Sequence, residues 1–243
     1  MTNPGFFAAL CGATVLLCVG CEERPSVREE RERMLEAEPP VETGNMNQMM
    51  GSSERVIPKL PTPQDQFMLA VRSGDRPRAE RWLAEGAKLG PGDATLVAAV
   101  RGGGNAEFVE WLVGRGAPAD EADPSGRTPL SWATSEAQLD TIRLLLAQGA
   151  SSVTEDQLGR APVHYAVFSG NPTVLELILE AGASVNAQDQ LGSTPLMYAC
   201  AKDLPELVDL LDEAGADWHV LDKLGRTAVE RAHGTRACQS DDD

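Results

Sequence analysis

The chain has 243 residues, of which 42 % are apolar and 24 % charged, which is an ordinary composition for a folded protein of one domain or two small ones. Its net charge of −16 disfavours binding to nucleic acid or to anionic lipid. Aromatic residues make up only 5 %, so we expect a core of leucine, valine and alanine.

The first predicted element is an uncharged apolar run at residues 6–19, FFAALCGATVLLCV. It is shorter than the roughly 20 residues that span a bilayer, and it has the length of a signal-peptide core. A glycine precedes Cys21 in VGCEE, and this junction resembles the lipobox of bacterial lipoproteins. The resemblance implies that residues 1–20 are removed as a signal peptide and that Cys21 is acylated. An uncleaved N-terminal anchor is the alternative.

The resemblance also implies a location. Glu22 follows the cysteine in place of the aspartate associated with retention at the inner membrane. We therefore expect a lipoprotein of the bacterial outer membrane that faces the periplasm. That compartment permits disulfides. We nevertheless expect Cys200 and Cys238 to be unpaired, because Cys200 lies in a predicted core helix and Cys238 in a tail.

Residues 21–63 are predicted to be the lipidated cysteine and a disordered or loosely helical linker. The stretch EERPSVREERERMLEAEPP mixes many charges with few apolar residues, and the rest of the segment is polar and then proline-rich. A flexible tether of this length reaches about 35 Å. Within it, Met46, Met49 and Met50 offer thioether ligands that suit Cu(I). A metal or small-molecule sensor is therefore the alternative function.

From Gln64 onward the sequence is periodic. Gly-Ala pairs begin at residues 86, 116, 149, 182 and 215, and the last three intervals are 33 residues each. In the unit at residues 189–221, Thr194 is a predicted N-cap and Pro195 the first helical residue, while Pro205 opens a second helix that ends at Gly215. Such a helix pair buries its apolar stripe only against its neighbours.

These units resemble the ankyrin repeat family. DPSGRTPLSWA, DQLGRAPVHYA and DQLGSTPLMYA match the first half of its pattern, and IRLLLAQGAS, LELILEAGASVNAQ and LVDLLDEAGAD match the second. The resemblance covers residues 64–233 and leaves an acidic tail at 234–243. It implies an all-α solenoid of helix-turn-helix units with hairpin loops, about five repeats plus caps. It also implies a structural role for His164, because the histidine at this position bonds neighbouring backbone in the family. In the same repeat, Ala161 stands where the family pattern has a capping threonine.

We find no enzyme signature in the sequence. The three histidines, His164, His219 and His233, lack metal-ligand spacing, and no nucleophile elbow, phosphate-binding loop or HExxH motif occurs. We expect no catalysis, no bound metal and no cofactor. Function is therefore expected to depend on the surface of the repeats.

The resemblance implies binding through a concave surface of hairpin tips and the inner faces of the first helices. Leu158, Leu191 and Leu224 recur there once per repeat, and Leu221 lies nearby. An exposed apolar strip of this kind is typical of a protein-binding surface. The alternative is that each leucine packs against the adjacent hairpin. The other candidate contact residues are Phe168, Arg160, Arg226, Gln157 and Gln190. We expect a scaffold that binds a protein partner, which it shields or neutralises.

Overall fold

The computed structural model describes residues 61–90, 92–103 and 105–232, together with Cys238. These residues form helices and turns without strands, which confirms the predicted all-α solenoid. The helices are α1 (Pro63–Arg72), α2 (Arg76–Ala84), α3 (Thr95–Arg101), α4 (Ala106–Gly114), α5 (Pro129–Ser135), α6 (Leu139–Ala147), α7 (Pro162–Ser169), α8 (Pro172–Glu180), α9 (Pro195–Ala201), α10 (Pro205–Glu213) and α11 (Ala228–Arg231).

Local chemistry sets the ends of each helix pair. Thr194 caps α9 by accepting a hydrogen bond from the Met197 amide at 3.3 Å, and Pro195 occupies the first turn, where it sacrifices no helical hydrogen bond. α10 opens with Pro205 and ends just before Gly215, whose φ of 86° reverses the chain. The predicted boundaries of this unit are thereby confirmed.

The helix pairs stack in chain order. Each of the inner helices contacts the next, in the order α1, α3, α5, α7, α9 and α11. In the outer layer, α4 packs against α6, and α8 packs against α10. Leu112, Leu145, Ile178 and Leu211 occupy the same place in successive outer helices, and each is fully buried. The core consists mainly of leucine, valine and alanine, as the composition predicts.

Gly102 is a point of close approach between the first two units. A Cβ placed on this residue would lie 1.8 Å from the carbonyl oxygen of Arg72, so only glycine fits. Gly102 is the first glycine of RGGGN. The contact of this second unit with α1 thus requires a glycine at that position.

Cys200 and Cys238 form a disulfide, so the prediction of two unpaired thiols is wrong. Cys200 lies in α9 and is fully buried, and Cys238 is also buried, although it follows the last described helix. The last unit has α11 but no second helix among the described residues, and Cys238 returns to α9. The two cysteines are 38 residues apart in the sequence, but their Cα atoms lie only 5.5 Å apart in the fold.

The structure describes only part of the predicted domain organisation. α1 begins at Pro63, one residue before the predicted start of the repeats, and its Thr62 forms a capping box with Asp65. Cys21, the apolar run at residues 6–19 and the methionines Met46, Met49 and Met50 lie outside the described residues. In the part of the chain that the structure describes, no helix is long and apolar enough to cross a membrane.

Candidate binding face

Each repeat joins the next through a hairpin whose aspartate organises the turn. The Asp189 amide bonds to the Ser193 carbonyl at 3.1 Å, and the Gly192 amide to the Asp189 carbonyl at 2.8 Å. The Oδ1 atom of Asp189 accepts from the amides of Leu191 at 2.8 Å and of Ser193 at 2.9 Å. The same arrangement recurs at Asp123, Asp156 and Asp222. The aspartate and the glycine of the turn are therefore structural.

Successive hairpins are hydrogen-bonded to one another through their backbones. The Gln190 amide donates to the Leu158 carbonyl at 2.9 Å, and the Lys223 amide donates to the Leu191 carbonyl at 2.9 Å. The approach is tight, since a Cβ on Gly159 would lie 2.9 Å from the Gln190 amide nitrogen. The hairpins are thus held in a fixed register, one repeat apart.

The hairpin leucines point away from these contacts. Leu158, Leu191 and Leu224 are 50 %, 61 % and 75 % exposed, so the adjacent hairpin does not bury them. Leu221, immediately before the last hairpin, is 54 % exposed. We call Leu158, Leu191 and Leu224 the leucine strip. Neighbouring members are held together by the hairpin hydrogen bonds, so the strip is preorganised rather than loose.

The other predicted contact residues on the hairpins make intramolecular contacts. Gln157 donates through its side-chain amide to the Pro124 carbonyl at 2.7 Å, and Gln190 donates to the Gln157 carbonyl at 2.7 Å. Arg226 makes two hydrogen bonds to the Asp222 carboxylate, at 2.9 and 3.1 Å. The hydrogen bonds of these three side chains thus stabilise the hairpins that carry the leucines.

The inner helices add a row of aromatic side chains that the sequence reading did not single out. Trp132, Tyr165 and Tyr198 each follow a hairpin aspartate by nine residues. Each donates to the Oδ2 atom of that aspartate: Trp132 to Asp123 at 2.9 Å, Tyr165 to Asp156, and Tyr198 to Asp189 at 2.5 Å. Their recurrence every 33 residues was the signal available in the sequence.

Basic side chains stack on these rings. The Arg127 guanidinium carbon lies 3.5 Å from the centre of the Trp132 ring and 4.0 Å from that of Tyr165. Arg101 covers the Trp132 ring at 4.4 Å, and Arg231 lies 5.2 Å from the centre of the Tyr198 ring. Such cation–π contacts hold a guanidinium in place while it keeps its charge.

Phe168 joins the rings of the last two full repeats. Its ring meets Tyr165 edge-on at 5.8 Å and Tyr198 at 4.8 Å. Arg160 lies 5.2 Å from its centre and Lys202 lies 5.0 Å from it. The predicted residues Phe168 and Arg160 are therefore brought together. We call the whole set the cation–ring ladder: Arg101, Arg127, Arg160, Lys202 and Arg231 with Trp132, Tyr165, Phe168 and Tyr198.

The protonation states keep the hydrogen bonds beneath the ladder intact. Burial and the hydrogen bond to Asp156 raise the pKa of Tyr165 to about 12, so its hydroxyl is protonated and donates near neutral pH. Burial alone would raise the pKa of Asp189, but hydrogen bonds from Tyr198 and from the backbone outweigh burial and lower that pKa. The carboxylate is therefore ionised and committed to its own repeat.

A family comparison agrees with this geometry. A model of the family described as ankyrin repeats (3 copies) matches residues 67–156, 96–189 and 151–222. Together these matches span more than half of the chain. The chain belongs to the ankyrin repeat family. No curated protein matches the sequence.

Ankyrin repeats generally mediate protein binding, and ankyrin domains are typically interaction modules without catalytic activity. In the described part of this ankyrin chain, no group of three or more histidine, cysteine, aspartate or glutamate residues is arranged to hold a metal ion. His164 bonds to backbone of its own and the next repeat, as the resemblance implies. The leucine strip and the cation–ring ladder are the candidate binding surfaces among the described residues.

Proposed function

We propose that this protein is a membrane-tethered scaffold of the bacterial envelope that faces the periplasm and binds another protein through its concave face. The partner is held without catalysis and is shielded or neutralised by the contact. The observation that carries the proposal is the leucine strip. Three leucines, one per repeat and each at least 50 % exposed, stand on hairpins whose backbones are bonded in register. Preorganised apolar side chains of this kind supply binding energy at little entropic cost.

The proposed compartment has independent support from the C-terminal end of the repeats. A disulfide between Cys200 and Cys238 is favoured outside the reducing cytosol. It agrees with the signal-peptide pattern at residues 6–19 and with the glycine before Cys21. Two features far apart in the sequence thus favour the same oxidising compartment.

The leucine strip is tested by charging two of its members. Leu158→Asp combined with Leu191→Asp places carboxylates where an apolar partner surface would dock, so we expect loss of partner capture in pull-downs from envelope extract. The helical circular dichroism signal is expected to stay, because both side chains are exposed. Val153→Asp is the matched control, since Val153 is 57 % exposed but lies off the hairpins. Unfolding of the double variant would instead assign the leucines a structural role.

The lipid anchor is tested separately. We expect radiolabelled palmitate to be incorporated into the full chain and not into a Cys21→Ser variant, because the cysteine sulfur carries the acyl groups in the proposed lipoprotein. Membrane fractions should retain the unmodified chain and release the variant. Equal labelling of both chains, or no labelling of either, would rule out acylation at Cys21.

A further inference from the structure

Charge is distributed unevenly between the two sides of the repeats. Among residues 101–232, seven of the nine basic residues lie on hairpins or inner helices, and two belong to the outer layer. The seven are Arg101, Arg127, Arg160, Lys202, Lys223, Arg226 and Arg231, and the two are Arg115 and Arg143. The outer helices α8 and α10 carry six carboxylates and no basic residue. In these later repeats the basic residues thus lie mainly on the side that carries the leucine strip, whereas in the first unit the outer helix α2 carries Arg76, Arg78 and Arg81.

Four of the five ladder cations are not consumed by ion pairs among the described residues, whereas Arg231 lies 3.8 Å from the Asp222 carboxylate. Among the described residues, no carboxylate oxygen lies within 4.0 Å of a side-chain nitrogen of Arg101, Arg127, Arg160 or Lys202. The hairpin aspartates nearby use Oδ1 for turn amides and Oδ2 for a ring donor or, at Asp222, for arginine. The ladder therefore keeps a capacity to pair with external carboxylates.

These cations are also held in position before any partner arrives. Arg127 is fixed between two rings and donates to the Ser135 hydroxyl at 2.8 Å. Lys202 donates to the Phe168 carbonyl at 3.2 Å, which anchors its ammonium at the edge of the ring cluster. An ordered cation loses less conformational entropy on pairing than a free surface side chain does, so its ion pair with a partner is expected to contribute more to binding.

We infer that the partner presents an acidic polypeptide segment, with carboxylates that pair with the cation–ring ladder and apolar side chains that cover the leucine strip. The inference rests on the proposed function and specifies its partner. Charge complementarity argues for it, because basic residues and exposed leucines share one face. The ladder runs across five successive inner helices, from Arg101 in α3 to Arg231 in α11, which fits an extended segment better than a single anionic group.

The test uses three fluorescein-labelled peptides of one length, in which leucine alternates with pairs of glutamate, glutamine or lysine. Anisotropy is measured with the full chain in mild detergent at physiological ionic strength, where a screening length of about 8 Å weakens repulsion from the outer-face carboxylates. We expect the glutamate peptide to bind about tenfold more tightly than the glutamine peptide, and the lysine peptide more weakly than both, as pairing with ordered arginines predicts. Equal affinity for the glutamate and glutamine peptides, or no binding of any peptide, would overturn the inference.

Matched variants locate the effect. Arg127→Gln with Arg160→Gln is expected to abolish the preference for glutamate. Arg115→Gln with Arg143→Gln removes two cations of the outer layer and is expected to leave the preference unchanged. Arg101→Gln guards against misfolding, because this side chain is exposed and stacks on the Trp132 ring, and it is expected to reduce the preference by a few-fold. An unchanged preference in the folded ladder variants would refute the assignment.

A second set of outcomes separates this inference from the proposed function. If the leucine variant loses a captured protein while the ladder variants retain it, binding through the hairpins stands and the acidic partner is refuted. Light scattering tests whether a second copy of the chain occupies this face. We expect a single chain per particle after correction for detergent, which would exclude a second copy. A dimer that dissociates in the ladder variants would assign the face to self-association instead.

Discussion

The buried imidazole of His164 links two repeats through both of its ring nitrogens. Nδ1 accepts from the Ala161 amide at 3.2 Å, and Nε2 donates to the Ser193 carbonyl at 3.2 Å. The first bond requires an unprotonated Nδ1, so the ring is neutral in the folded state. Burial accordingly lowers the pKa of His164 below its ordinary 6.5, despite the opposing effect of the Ser193 carbonyl and Asp189. His164 is therefore the structural link that the resemblance implies.

This lowered pKa makes a prediction about stability. Because the unfolded chain binds the proton more readily, the free energy of unfolding should fall as pH drops from about 6.5 toward the lower folded pKa. His164→Gln should reduce this decline and should cost about 1–3 kcal/mol at pH above 7, where the lost bonds are intact in the native protein. Urea denaturation followed by circular dichroism measures both effects.

The control for this experiment is His219→Gln. The His219 side chain is 94 % exposed, so its replacement should leave both the stability and its pH dependence as they are in the native protein. The hairpin aspartates with lowered pKa values act at lower pH, because their stabilising contribution is lost only as pH falls below the range of ordinary carboxyl groups. An identical decline between pH 7 and 5 in native protein and His164→Gln would contradict the assignment.

At the scale of elements, the repeats differ in how their inner helices begin. α5, α9 and α11 each start with a threonine whose hydroxyl accepts an amide hydrogen bond, at Thr128, Thr194 and Thr227. α7 starts at Ala161, which provides no side-chain cap, although His164 satisfies the Ala161 amide. α3 also lacks a side-chain cap, at Ala94, but only the repeat of α7 has the buried histidine beside its uncapped start.

This difference predicts a reciprocal pair of substitutions. Thr194→Ala should lower the free energy of unfolding by about 1 kcal/mol, and Ala161→Thr should raise it by up to about 1 kcal/mol, because a hydroxyl cap satisfies an otherwise orphan amide. Threonine fits, since Thr128 and Thr194 are buried at the equivalent positions of adjacent repeats. Denaturation midpoints at unchanged slope measure both changes. Destabilisation by Ala161→Thr would show that His164 leaves no room for the hydroxyl.

At the scale of the whole molecule, two features matter: a disulfide at the C-terminal end of the repeats, and an uneven distribution of charged residues between the outer helices and the inner side. The Cys200–Cys238 disulfide joins Cys238, which follows α11 in the sequence, to α9. Among the described residues, the last unit has no second helix that could pack against the preceding unit. The outer helices α8 and α10 carry six carboxylates and no basic residue. Between residues 101 and 232, seven of nine basic residues lie on the side of the hairpins and inner helices, which also carries the exposed leucines. Stability at the C-terminal end and the proposed recognition on the inner face therefore depend on different parts of the repeats.

The repeat fold could be predicted in detail because its signals are local. Thr194, Pro195 and Gly215 set the ends of helices through contacts a few residues away, and the period of 33 residues repeats these instructions. The exposed leucines could be placed for the same reason, since they are additions to a turn that needs only the aspartate and the glycine.

The ladder and the disulfide could not be predicted in this way, because each joins residues from different units. Arg127 meets Tyr165, 38 residues later, and Cys200 meets Cys238 at the same separation. The sequence by itself determined the unit, its caps and the positions that vary. Only the tertiary structure decided which variable positions become neighbours, because the stacking of one helix pair on the next sets the distances between their side chains.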